Sequence, residues 1–276
     1  MATSGLDEIG NWSEIKLDII REYAQAYSRI LAAQKQPKLK HIYIDGFAGA
    51  GVHISRQTKE FTLGSPLNAL RVAPPFREYH LVDLDTGKAK MLRDMTEENP
   101  SVFVYEEDCN EVLLNKVFPR ARFEKYERGL CVLDPYGLHL NWDVVKTAGI
   151  MKSIEIFLNF PIMDMNMNVL WHDSSSVSQI QVERMNRFWG DNTWKDVAYT
   201  VEQDLFGDVE RKAENIAIVN AYKDRLKKVA GFKYVQNPIP MKNTRGAVVY
   251  YLFFAAHNPA AASIVSDIFN KYRNRT

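Results

Sequence analysis

The sequence predicts an α/β protein: one doubly wound, mostly parallel sheet, interrupted by a helical insertion and closed by a C-terminal antiparallel hairpin. Three observations lead to it. Short apolar runs rich in Val, Ile, Leu, Tyr and Phe alternate with helix-patterned segments between residues 41 and 161, the rhythm of βα units. The first run, His41-Ile-Tyr-Ile-Asp45, is continuous, as a strand covered on both faces should be, and it exits into a turn with glycines at 46, 49 and 51. After a stretch without that rhythm, the chain ends in two further β-rich runs separated by a proline-containing loop.

Residues 1–40 carry one amphipathic helix. Within 12–31, Ile15, Ile19, Tyr23, Ala26, Tyr27 and Ile30 recur at helical spacing, and Pro37 keeps that helix out of the next element. The core, 41–161, opens with a strand at 41–45 and a loop at 52–63. Gly64-Ser65-Pro66 reads as an N-cap followed by proline at the first helical position, starting a helix over 67–72 that Pro74-Pro75 ends. A second strand at 79–83 precedes a polar helix over 87–98, which stops before Asn99-Pro100. A third strand at 102–105 leads to a helix near 111–118, a fourth at 130–133 to a short helix near 142–148, and a fifth spans 154–160. Residues 162–230 form a helical insertion or cap, with helices near 178–189 and 210–229. Residues 231–276 complete the core with strands at 232–235 and 247–256 and a helix over 260–271.

With 276 residues the chain has room for one large α/β domain with insertions. Its 46% hydrophobic and 25% charged residues are ordinary globular values, which excludes a disordered or fibrous chain. Acids and bases nearly cancel to a net +1, so no overall field gathers polyanions, and a large nonspecific footprint on duplex nucleic acid is disfavoured. No apolar stretch approaches the roughly 20 residues that span a bilayer, and the start, Met1-Ala-Thr-Ser-Gly-Leu-Asp-Glu8, lacks a basic-then-apolar signal. The expectation is a soluble, cytoplasmic protein with no membrane partner. Cys109 and Cys131 are too few for a disulfide framework or a thiolate metal cage and read as buried free thiols. His53 and His172 lack spaced partners, and no metal site is expected.

In a doubly wound sheet the ligand lies over the carboxyl ends of the strands, where the strand order switches, so the polar residues there are the candidates. Four acids stand at such ends: Asp45, Asp83, Asp108 and Asp134. Gly46, Gly49 and Gly51, with Phe47 among them, let the backbone pass close to a ligand, because glycine accepts positions that a Cβ would block. Their spacing differs from the G-x-G-x-x-G dinucleotide fingerprint, which counts against a dehydrogenase. Asp83 suits a ribose diol, since a carboxylate accepts both hydroxyl hydrogens; Asp85 is its rival two residues on. The plain alternative for each acid is an N-cap of the following helix. Asp134-Pro135-Tyr136-Gly137 resembles a motif of amino-group methyltransferases, which implies that it orients an exocyclic amine, whose delocalised lone pair gains from alignment and from relief of its proton. The same residues suit a type I turn, and the two readings are compatible. Trp171, Trp189 and Trp194, with Arg184 and Arg187, read either as a stacking surface for a single-stranded base or as the core of the cap. Met163, Met165 and Met167 read as the packing of a flexible lid.

Asp45-Gly-Phe-Ala-Gly-Ala-Gly51 resembles the first motif of class I S-adenosylmethionine methyltransferases, in the D-x-F-A-G-x-G form found in nucleic-acid methyltransferases. The resemblance implies a Rossmann-like class I methyltransferase fold, with a mostly parallel seven-stranded sheet whose last strand inserts antiparallel, and S-adenosylmethionine as cofactor. It implies Asp45, Gly46, Phe47, Gly49 and Gly51 around that cofactor, Asp83 on its ribose, and Asp108 on its adenine. Asp134-Pro-Tyr-Gly137 resembles the D/N-P-P-Y/F/W motif of amino-group methyltransferases with one proline in place of two, and is closer to the D-P-F-G of transfer RNA guanine dimethyltransferases. This implies an amino group as acceptor, held by Asp134, Pro135 and Tyr136, and leaves the base open.

Tyr43-Ile-Asp-Gly-Phe-Ala-Gly49, Gly64-Ser-Pro-Leu67, Asp108-Cys-Asn-Glu111, Leu133-Asp-Pro-Tyr-Gly-Leu138 and Phe188-Trp-Gly-Asp191 together resemble, over nearly the whole chain, the bacterial three-Cys-motif partner protein family. Its members resemble methyltransferases and pair with a separate cysteine-motif protein similar to radical S-adenosylmethionine enzymes. Two functions follow: a methyltransferase acting on an amino group of a nucleic acid base or modified nucleotide, or a noncatalytic methyltransferase-fold module for a three-Cys-motif protein. A small-molecule methyltransferase with a narrow, closed cap is a third.

Overall fold

The computed structural model describes residues 6–204 and 207–275, of which 201–204, 207–210 and 274 are described in backbone only; most of the opening stretch Met1–Glu8, residues 1–5, lies outside them. A short strand β1 (Glu8–Ile9) precedes the long helix α1 (Asn11–Ala33). The core then runs β2 (Lys40–Asp45), β3 (Val52–Ser55), β4 (Phe61–Leu63), α2 (Ser65–Leu70), β5 (Glu78–Val82), α3 (Thr86–Thr96), β6 (Val102–Tyr105), α4 (Cys109–Val112), β7 (Glu127–Leu133), α5 (Trp142–Met151) and β8 (Ile154–Phe160). The insertion carries α6 (Ile162–Asn168), α7 (Gln179–Trp189), α8 (Trp194–Ala198), the hairpin β9 (Tyr199–Asp204) and β10 (Gly207–Lys212), and α9 (Asn215–Lys228). The chain closes with β11 (Tyr234–Val235), β12 (Ile239–Lys242), β13 (Val248–Ala256) and α10 (Pro259–Tyr272).

The central sheet runs β6-β5-β2-β7-β8-β13, with β11 and β12 both paired to the far edge of β13. The first five strands are parallel and β13 is antiparallel to β8. Pro238, with no N–H to give to a ladder, stands in the gap between β11 and β12, so two segments share one position. Numbered along the chain, the seven positions read 3-2-1-4-5-7-6. That is the Rossmann-like class I methyltransferase order, reached from strand pairing alone.

Two cores sandwich the sheet. On one face α1 and α10 pack Ile19, Tyr23, Val265 and Phe269 against Tyr43, Phe157 and Phe254; on the other, α5, α7 and α9 pack Val144, Phe188 and Tyr222 against Phe160 and Phe253. The insertion is therefore anchored in the main core. Trp189 and Trp194 are 1% and 2% exposed, which removes both from any stacking surface; only Trp171 keeps an open face. Both cysteines are buried and free. No helix among the described residues is long and apolar enough to cross a membrane.

Several local expectations are corrected. The loop read at 52–63 contains β3 and β4, which join β1 in a small sheet. The helix read over 210–229 begins only at Asn215, because β9 and β10 pair through residue 212. On α1, Ile30 is exposed while Ile20 and Leu31 are buried, a shift of the apolar stripe that lets the helix lie across the sheet.

Tyr222 is the hub of the second core, with ring contacts to Trp142, Phe160, Phe188, Trp189 and Phe253, yet its hydroxyl has no hydrogen-bond partner among the described residues. Tyr222→Phe should leave stability unchanged or raise it by up to about 1 kcal/mol, because it deletes a buried polar atom at constant packing. Tyr222→Ala should cost about 3–5 kcal/mol. Urea unfolding of the two variants reads both, and a loss of more than about 1 kcal/mol in the Phe variant would mean the hydroxyl is satisfied after all.

Candidate functional site

The strand order reverses around β2: β5 and β6 lie to one side, β7 and β8 to the other. Segments leaving the carboxyl ends of β2 and β7 diverge, and a crevice opens between them. It holds a cavity of about 500 Å³, the size of a small-ligand site. Phe47, Ala48 and Gly49 of the glycine turn form one wall, and Asp134, Pro135, Tyr136 and Gly137 another. Ser13, Lys16 and Leu17 reach in from α1, Asn159 and Pro161 from the end of β8, Tyr250 from β13, and His53 and Ser65 from the segment after the glycine turn. Asp7 and the methionines 163 and 167 of α6 complete the rim.

The glycine turn is built for close passage. Gly49 and Gly51 sit at φ +64° and +80°, the left-handed region that favours glycine, whereas Gly46 serves a different end: a Cβ there would meet Leu133 and Leu113 at 3.2 and 3.3 Å. Asp83, 7% exposed, fastens the turn by accepting from the N–H of Gly49 at 2.8 Å and of Asp85 at 2.9 Å, one oxygen each. A lone pair remains on each oxygen. Asp85 is spent as the N-cap of α3, accepting from the Lys88 N–H.

Asp45 is fully buried behind the cavity wall and accepts from Ser65 Oγ at 2.6 Å, Tyr43 Oη at 3.2 Å and the Phe47 N–H at 3.3 Å. Burial pushes its carboxyl up to about 6 against the pull of these bonds, with the nearby Asp134 adding to the rise. Ser65 therefore does not cap α2 with its side chain. Gly64 takes the cap position, and the hydroxyl is free to reach the acid 20 residues earlier.

Asp134 binds two protein groups, the Lys16 ammonium on one oxygen and Asn159 Nδ2 on the other, the latter at 2.7 Å. Burial alone would depress the lysine, but the Asp134 carboxylate outweighs it and holds Lys16 above the ordinary lysine value, fully charged. Asn159 Oδ1 is buried with no partner among the described residues. Pro135 is buried; Tyr136 is half-exposed, its hydroxyl bonded to Lys88 Nζ at 2.9 Å and donating to Asp7 at 3.2 Å, while Lys88 also binds Asp7 at 2.7 Å. This clasp joins the segment before β1 to α3 and to the turn after β7. Gly137, at φ +57°, closes that turn where a Cβ would lie 2.7 Å from Asp164 Oδ2.

Of the residues singled out from sequence, Phe47, Gly49, Asp134, Pro135 and Tyr136 line the cavity together; Asp45, Gly46, Gly51 and Asp83 stand behind its walls. Asp108 stands apart. It caps α4 through the N–H groups of Asn110 and Glu111 and borders a separate depression with His139, Arg184 and Arg187. Lys16, Asn159 and Asp164 were not legible. Asn159 closes a strand and so carried the strand-end signal, but Lys16 stands between apolar residues of α1 with no pattern to mark it. His53, read as an isolated histidine, lies on the cavity wall with Nδ1 unpartnered. No group of three or more His, Cys, Asp or Glu among the described residues could hold a metal ion.

No protein-family model and no curated protein matches the chain. Among solved structures, protein LPL1258 of Legionella pneumophila, described under the family model DUF519, is similar at 12% identity over 94% of this chain and 92% of that chain, with a TM-score of 0.53. An S-adenosylmethionine-dependent methyltransferase from Clostridium acetobutylicum matches at 12% identity over 88% and 91%, TM-score 0.41. The 23S rRNA methyltransferase ErmE matches at 12% identity over 93% and 74%, TM-score 0.37. The first of these likenesses is one of fold.

Asp45 makes stability depend on pH in a defined direction. Its carboxyl titrates higher in the folded protein than the ordinary 3.8, so the folded state binds the proton more tightly, and keeping Asp45 ionised costs stability above about pH 6. Asp45→Asn should gain relative to the parent by on the order of 2 kcal/mol above that pH, the gain fading as pH falls toward 4. Urea unfolding across pH 4.5–8 measures the difference, and a pH-independent offset would assign the effect to lost hydrogen bonds.

Proposed function

We propose that the protein is an S-adenosylmethionine-dependent methyltransferase acting in the cytoplasm on an amino group of a nucleic acid base or modified nucleotide. The observation that carries this reading is the meeting, in one cavity at the switch in strand order, of the glycine turn with the Asp134-Pro135-Tyr136-Gly137 turn. The lining fits the cofactor on its own terms: Gly49 at positive φ leaves room for a close approach, and Lys16 has ammonium hydrogens beyond the one given to Asp134, while Asp83, outside the lining, fastens Gly49 and keeps a lone pair on each oxygen for a ribose diol. When bound, the cofactor supplies an electrophilic methyl group. An amino group entering beside Asp134 would find Asn159 Oδ1 as a ready acceptor for one of its hydrogens, which aligns its lone pair, and the flat Tyr136 ring at the mouth suits a base face. Near-zero net charge favours a small, structured or partner-presented substrate.

A second reading, a noncatalytic partner module for a three-Cys-motif protein, draws support from a different observation. Both oxygens of Asp134 and the hydroxyl of Tyr136 are already engaged by Lys16, Asn159, Lys88 and Asp7. A fold alone does not imply turnover.

Calorimetric titration with S-adenosylmethionine separates these readings in two steps. Binding in the micromolar range is expected, weakened about ten- to a hundredfold by Asp83→Ala, since that carboxylate holds Gly49 in the cavity wall and is the proposed ribose acceptor. Radiolabelled methyl transfer into RNA, DNA or nucleotides should then follow. No binding removes the enzyme reading; binding without transfer to any of these acceptors favours the module.

A further inference from the structure

On the α1 side of the cavity two side chains have hydrogen-bonding capacity to spare. Lys16 is nearly buried, its side chain 9% exposed, and its ammonium has one carboxylate partner for three hydrogens. His53 faces the same space from β3. Its Nδ1 is buried with no partner among the described residues, and the ring lies against the glycine turn, Cε1 3.8 Å from where a Gly49 Cβ would stand and Nε2 3.1 Å from the same point on Gly64. A buried orphan nitrogen costs free energy unless a ligand completes it. A lysine with idle donors beside an imidazole that can donate is complementary to a carboxylate, and the cofactor of the preceding section carries one on its amino-acid head.

We infer that Lys16 and His53 form a carboxylate seat for the amino-acid head of the cosubstrate, and that filling the seat adds a proton to His53. The inference rests on the methyltransferase reading. The charged groups bearing on His53 are Lys16 from α1, Asp7 from the segment before β1, Asp134 from the turn after β7 and Lys88 from α3. Asp7 is bound by Lys88 and Asp134 by Lys16, and Thr62, opposite His53 on β4, is uncharged. Burial, with the Lys16 charge second, holds the free imidazole below its ordinary value, so it is neutral at pH 7. A carboxylate offsets both influences: it neutralises Lys16, and it accepts from the imidazolium, which compensates the buried charge. The bound state then holds more protons than the free state between the two titration points, and affinity strengthens as pH falls through that window.

The test uses the intact chain and two commercial probes. S-adenosylhomocysteine carries the head; 5′-methylthioadenosine lacks it. S-adenosylhomocysteine should bind about ten- to a hundredfold tighter than 5′-methylthioadenosine at pH 7, and its affinity should rise about tenfold from pH 8 to pH 6, with proton uptake read from calorimetry in buffers of different ionisation enthalpy. 5′-Methylthioadenosine should show neither effect. His53→Asn keeps a donor near the position of Nδ1 but cannot titrate, so it should lose the pH dependence. That comparison also separates His53 from Asp45, whose carboxyl is pushed up to about 6. Equal, pH-flat binding of the two probes, or unchanged pH dependence in His53→Asn, overturns the seat and leaves the methyltransferase reading standing. Competition by millimolar inorganic phosphate would reassign the seat to a phosphate of the acceptor and overturn it likewise. Failure of both probes to bind removes the seat together with the reading beneath it.

Discussion

The ion pair between Lys16 and Asp134 ties the first helix to the working edge of the sheet. The two residues are 118 apart in sequence, and the lysine is nearly out of solvent. Withdrawing an ammonium from water is costly unless a carboxylate meets it with good geometry, so the lysine holds α1 to one place along the carboxyl end of β7. Asn159 at the end of β8 extends the contact by donating to the other oxygen of Asp134. One carboxylate thereby joins a helix, a strand-end turn and a second strand, and the cavity between them takes its shape from that junction.

Charge in the crevice is balanced locally. Lys16 answers Asp134, Lys88 answers Asp7, and Asp45, with no ion-pair partner among the described residues, settles at a raised titration point behind Ser65. The clasp of Asp7, Lys88 and Tyr136 lies at the mouth, while the apolar rim of α6 faces it from the insertion. Because α7 and α9 of that insertion share the sheet's second core through Phe188, Trp189 and Tyr222, the rim is carried on rigid packing. Among the described residues, the groups there with hydrogen-bonding capacity to spare are a buried amide oxygen on Asn159, a buried imidazole nitrogen on His53 and ammonium hydrogens on Lys16.

Much of this architecture was legible beforehand, for reasons that individual residues make plain. The strands at Val102–Tyr105 and Ile154–Phe160 were readable to the residue: the first is an unbroken apolar run between Ser101 and Glu106, and the second is β-rich and ends at Pro161. β3, β4, β9 and β10 were not legible, because none carries a long apolar run and they pair only with each other or with β1. Ser65 looked like a cap by its type and position; Asp45, reached only through folding, competes for its hydroxyl and wins. Asp108 allowed two readings in sequence, an adenine contact and a plain cap; in the fold its carboxylate caps α4, away from the cavity.

By itself the sequence determined the class of fold and the position of the crevice. Continuous buried strands, the glycines after Asp45 and the proline after Asp134 act through local chemistry that no distant contact is needed to interpret. Tertiary structure alone decided which polar groups converge there. Lys16, His53 and Asn159 lie on a helix, a small side sheet and a distant strand, and their meeting depends on strand order and on the cost of leaving a buried charge or amide unpaired. Neither of those is written in the spacing of residues along the chain.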